Sequence, residues 1–79
     1  MIIEKSKIKI LLECYEGTLR VLFEKGTEDE DRDTAYTRYC GAVWAFRDIG
    51  ALTTEDAFTW INRFAYAVDG AEYPESVTA

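Results

Sequence analysis

The chain reads as an all-α protein, a small three-helix bundle. Three observations predict it. Glycines bound three segments, residues 3–25, 31–49 and 54–69. Apolar residues recur at helical spacing in each segment. Only Gly50 to Leu52 separate the second segment from the Thr53 that can cap the third, and so short a connection implies antiparallel neighbours. Helices are therefore expected at about 3–25, 32–49 and 54–69, the last two forming an αα-hairpin. Residues 1–70 make one helical domain. Residues 71–79, with Pro74 and few apolar side chains, read as a flexible C-terminal tail.

The first segment contains IKILLECYEGTLRVLF, residues 8–23, an apolar run interrupted by Glu16-Gly17. As a helix it places Ile8, Leu11, Leu12, Tyr15, Leu19, Leu22 and Phe23 on one face, at ~100° per residue. As two strands around Glu16-Gly17 it would alternate acceptably, and an α+β fold with an N-terminal β-hairpin before two helices stays open. Glu-Gly is not a preferred two-residue hairpin turn, and the hairpin would turn Leu11 and Leu22 away from the core. Gly17 costs a helix ~1 kcal/mol relative to Ala. A stripe of large side chains, each worth roughly 1.5–3 kcal/mol when buried, outweighs that. The helix is the preferred reading.

The second segment can start at Asp31 or Asp33, since acidic charge is favourable at a helix N-terminus. Ala35, Tyr39, Ala42, Val43, Phe46 and Ile49 form its stripe, with Tyr36 at the edge, and Gly50 ends it. In the third, Thr53 is a good N-cap with Asp56 three residues on. Leu52 stands at the staple position. Ala57, Trp60, Ile61, Phe64, Ala65 and Val68 form the apolar face, and Gly70 suits the C-terminal cap.

At 79 residues there is room for one modest core. The apolar share of 48% excludes a disordered chain. The net charge of −6 is uneven: residues 1–25 carry +1 and residues 26–79 carry −7. Such a surface argues against direct contact with nucleic acid or anionic membranes, which need clustered Lys and Arg. It suits a basic partner. No signal peptide or ~18-residue membrane span is visible, so a cytoplasmic setting with Cys14 and Cys40 reduced is expected.

The usual catalytic constellations are missing. There is no histidine to serve as a base for either cysteine or to complete a zinc site. There is no phosphate-cradling glycine loop. No enzyme activity, cofactor or metal is expected. Asp29-Glu30-Asp31-Arg32-Asp33 starts like a calcium loop, but Thr34 stands where Gly is needed and Cys40 where Glu closes the site. It reads as a solvated loop. Tyr36, Tyr39, Trp44 and Tyr66 could stack on bases, but the basic groove of single-strand binders is missing. A DNA-binding reading of residues 32–69 fails on charge, because residues 55–68 offer only Arg63.

What the helical reading does expose is surface for a protein partner. Ile10, Cys14, Gly17 and Val21 form a second apolar seam opposite the first, with small residues where another backbone could approach. Trp44 lies about 160° from its own core stripe and is a candidate anchor, since off-stripe aromatics often carry interfaces. Burial inside the bundle is the structural alternative for both. Glu28, Asp29, Glu30, Asp31 and Asp33 are candidate contacts to a basic partner. The stretch Ala45-Phe-Arg-Asp-Ile-Gly-Ala-Leu-Thr-Thr-Glu-Asp-Ala-Phe, through Arg63-Phe64, resembles the short oligomerisation modules known as SHOCT domains over residues 45–64. In both, a helix ends at Gly, Leu or Ile and Thr follow, and an acidic start begins the return helix. The resemblance transfers no functional residue. In style the chain is similar to anti-CRISPR proteins, short acidic inhibitors from phage or mobile elements that occupy a nucleic-acid groove. The leading expectation is a non-enzymatic protein-binding protein of that kind. A homodimeric structural or regulatory module, joined through the first helix, is the alternative.

Overall fold

A computed structural model of the chain describes residues 4–74. It contains three helices, α1 (Lys5–Glu24), α2 (Asp29–Asp48) and α3 (Thr54–Val68), and no strand among the described residues. The fold is the expected three-helix bundle. IKILLECYEGTLRVLF is one continuous helix through Gly17, so the β-hairpin alternative falls. The reason is burial: Ile8, Leu12 and Leu19 are all fully covered on one face. Among the described residues no helix is long and apolar enough to cross a membrane.

The helix ends follow from local chemistry. All three helices stop in the same way, with a positive-φ glycine (Gly26, Gly50, Gly70) and the paired return hydrogen bonds of a Schellman turn. At α3, the Thr53 hydroxyl accepts from the Asp56 N–H at 3.0 Å, the cap read from sequence. α2 differs from expectation at its start. It begins at Asp29 rather than 32, so Asp29, Glu30, Asp31 and Asp33 are helical and do not form a loop; Glu28 is the N-cap. Three acids in the first turn complement the positive end of the helix dipole, and that favours the earlier start.

The core is Ile8, Leu12 and Leu19 from α1, Val43 from α2, and Ala57, Trp60, Phe64 and Ala67 from α3. No described polar side chain is buried with them. Stacked and edge-on rings bridge all three helices: Tyr15 lies flat on Tyr39 at 4.1 Å, and Tyr39 meets Phe64 edge-on at 6.1 Å. Four stripe assignments change. Leu11 and Phe23, expected on the inner stripe of α1, lie at its margins and are 36% and 42% exposed. Ile49 is 65% exposed, because it is the C-cap of α2 and has left the helical face. Ala67, outside the expected stripe, is buried.

Arginines tie the elements together. Arg32 of α2 donates to the Val68 carbonyl at the end of α3, pairs with Asp29, and lies over the Phe23 ring of α1. Arg20 donates to the Ala71 carbonyl. Tyr73 meets Tyr66 edge-on. Residues 71–74 therefore lie against the bundle, which shortens the expected loose tail; its remainder, 75–79, falls outside the described residues.

Candidate functional site: the outer face of the first helix

α1 is apolar on two opposite sides. Its inner side is the core stripe. Its outer side is the row Ile10, Cys14, Gly17 and Val21, all solvent-exposed, with Ile10 at 62% and Val21 at 44%. Cys14 is a free thiol. A Cβ added at Gly17 would meet no atom within 4 Å. The four predicted residues thus share one open face, and none of them belongs to the core or packs against it. Leu11, 36% exposed, borders it. A bundle that closes its core without these side chains leaves their exposure unexplained by folding.

Trp44 is not part of this face. It packs edge-on against Phe58 of α3 at 5.4 Å, half-buried at the edge of the core, with Arg47 over its ring. Internal packing accounts for it, and the aromatic left outward in that pair is Phe58, 53% exposed. The acids Glu28, Asp29, Glu30, Asp31 and Asp33 are brought together and exposed at the start of α2. Asp29 is already paired to Arg32.

Sequence reasoning missed the polar joint between α1 and α3. Glu16 and Arg63 form two hydrogen bonds, at 2.8 and 2.9 Å, with both side chains largely covered. The Arg63 guanidinium also lies 4.1 Å from the Trp60 ring centre. The carboxylate contact pushes the Arg63 pKa above its ordinary value. These groups, with Arg20, Thr59, Glu72, Tyr73 and Pro74, line an open groove of about 920 Å³. Glu16 and Arg63 engage each other there, while Arg20 and Thr59 donate to the Ala71 and Glu55 carbonyls, as expected of a structural joint. On α2, Tyr36 and Cys40 lie one helical turn apart. Burial pushes the Cys40 thiol up, partly countered by the neighbouring Tyr36 hydroxyl; Tyr36 is also raised, mainly by burial. Among the described residues, no three His, Cys, Asp or Glu side chains cluster as a metal site would need.

Sequence offered one signal for Arg32, a single base inside an acidic run, and none for Arg63, whose partner is 47 positions away. No family model matches the chain, and no curated protein and no solved structure matches it.

Proposed function

We propose that the chain is a non-enzymatic protein-binding module that docks through the outer face of α1. The observation that carries this is the exposed row Ile10, Cys14, Gly17 and Val21 on a helix whose opposite side already closes the core. Large side chains at the ends of the row supply area, and small ones at its centre admit a close backbone. The acidic surface at the start of α2 supports a second reading, in which a basic partner is held there, as by an inhibitor from a phage or mobile element. The first-turn acids already serve the helix they start, so this reading stands behind the first.

A photo-crosslinking amino acid placed at Ile10 tests the reading in cells that express the chain. Protein adducts are expected from position 10 and not from a control at Thr37, an exposed site on α2. Equal yields from both positions, or none from position 10, refute docking through α1. For the second reading, charge reversal at Asp29 and Asp31 removes a salt-sensitive complex.

A further inference from the structure

The spacing of the open face names its occupant. The row 10, 14, 17, 21 has steps of 4, 3 and 4. Extended in the same rhythm, it takes in Lys7 and Glu24, both exposed. The six positions are the a and d places of a heptad seam, the pattern by which one helix packs along another. They also read as a palindrome about the point between residues 15 and 16: charged, large apolar, small, small, large apolar, charged. We propose that the occupant is a second copy of this chain, its α1 antiparallel to the first about a two-fold axis. This rests on the reading that the α1 face is a protein-docking surface.

In that arrangement residue i faces residue 31 minus i of the second copy. Ile10 packs on Val21, and Cys14 on Gly17. At both ends Lys7 meets Glu24, opposite in sign. On the flanks, offset from that rule, Leu11 lies beside Thr18 and Glu13 beside Arg20 of the second copy; Glu13 and Arg20 are already engaged within their own chain, with Lys9 and the Ala71 carbonyl, so the end pairs set the orientation. A parallel pair would instead place Lys7 on Lys7 and Glu24 on Glu24. Charge therefore selects the antiparallel orientation. Each contact occurs twice, as a two-fold interface requires.

A second observation points the same way. α2 and α3 carry acids in their first turns, as the helix dipole favours. α1 does not: it has no acid in its first turn and no base in its last. Within the helix Lys5 and Lys7 stand near its positive end and Glu24 at its negative end, against the dipole; Glu4 at the N-cap and Lys25 at the C-cap offset them only in part. Beside an antiparallel copy, each mismatched charge faces its opposite and the two dipoles run head to tail.

The seam is short, so the dimer is weak and depends on concentration. Light scattering on the purified chain should show a mass of 9.0 kDa at about 5 μM, rising toward twice that by about 500 μM. Val21→Glu should weaken association at least about tenfold while leaving helicity unchanged. Lys7→Glu should weaken it about threefold, and Lys7→Glu with Glu24→Lys should restore it. With helix axes about 8 Å apart, the two Cys14 Cα atoms come about 6 Å apart, within disulfide reach. Diamide, as the two-electron oxidant, should then give a covalent dimer that Cys14→Ser abolishes and Cys40→Ser retains. A monomer at every concentration without a Cys14-linked species overturns the proposal. So does a dimer indifferent to Val21→Glu, or a charge swap that fails to restore association. The docking reading is judged separately: adducts from position 10 to another protein, from a chain that stays monomeric, would leave it standing and remove only the second copy.

Discussion

Gly70→Ala should destabilise the fold by about 3 kcal/mol, twice the effect of the same change at Gly26. Both glycines end helices with nearly equal backbone angles, φ +71 at Gly70 and +70 at Gly26. An L residue in that left-handed region costs roughly 1–2 kcal/mol at either position. The surroundings differ. A Cβ at Gly26 meets nothing within 4 Å, whereas one at Gly70 falls 2.9 Å from Phe23 Cζ and closer still to Cε1 and Cδ1. Phe23 must therefore leave. It is 42% exposed, so its remaining burial is worth about 1 kcal/mol. Its departure also removes the Arg32 guanidinium from above its ring, 5.0 Å from the centroid, a further ~0.5–1 kcal/mol. Urea unfolding followed by helicity at micromolar concentration measures each variant. In melting temperature, the difference between the two variants is roughly 5–10 °C for a domain of this size. In a Phe23→Ala background the extra penalty at Gly70 should vanish, leaving a coupling energy of about 1.5 kcal/mol. Equal penalties at Gly26 and Gly70, or no coupling to Phe23, would refute the reasoning.

Three further outcomes follow from the same geometry. Gly17→Ala and Gly41→Ala, both inside helices with open space where the Cβ would go, should each stabilise the dilute protein by about 0.5–1 kcal/mol; a loss at Gly17 would mean that its face is covered within a single chain. Arg63→Met should cost about 2–3 kcal/mol, because it leaves the Glu16 carboxylate largely covered and unpaired, while Glu16→Gln should cost about 1; thermal melts rank the two. Cys40 and Tyr36 hold their protons more tightly folded than unfolded, so stability should be level below their ordinary pKa values of 9.0 and 10.0 and fall as pH rises past each in turn. Urea midpoints against pH test this, and Cys40→Ser should remove the first part of the fall.

Features that depend on local chemistry were legible in the sequence. Thr53 and Asp56 announce the start of α3, and Gly26, Gly50 and Gly70 mark where the helices stop. The spacing of Ile8, Leu12 and Leu19 outweighed Gly17, because three buried side chains exceed one glycine penalty. What was not legible depends on partners far along the chain. Trp44 looks like an anchor on a helical wheel, and only Phe58 on the neighbouring helix explains its place. Ile49 continues the α2 rhythm in sequence, but the turn at Gly50 carries it out of the stripe. The sequence places the start of α2 three residues late, since an acidic run reads equally as a solvated loop until the helix it starts is seen. Arg32 and Arg63 each hold two helices together through carbonyls and carboxylates that no periodicity reveals. For the site, spacing alone placed Ile10, Cys14, Gly17 and Val21 on one face.

The features of α1 that folding does not explain fall on that one face. Gly17 weakens the helix by ~1 kcal/mol relative to Ala. Ile10 and Val21 are exposed without covering any described core residue. Lys7 and Glu24 run against the helix dipole, at roughly 0.3–1 kcal/mol each, partly offset by Glu4 at the N-cap and Lys25 at the C-cap. With Gly17 the sum is about 1–2 kcal/mol, a noticeable share of the ~5–15 kcal/mol typical of a domain. Such costs could be scattered if they were incidental; Gly41 on α2 is an isolated case of that kind. On α1 they coincide in a single row at positions 7, 10, 17, 21 and 24, with Cys14 between. On the inner face of the same helix, Ile8, Leu12 and Leu19 close the core. A helix whose local rules hold on one side and fail together on the other is what the proposed docking face requires.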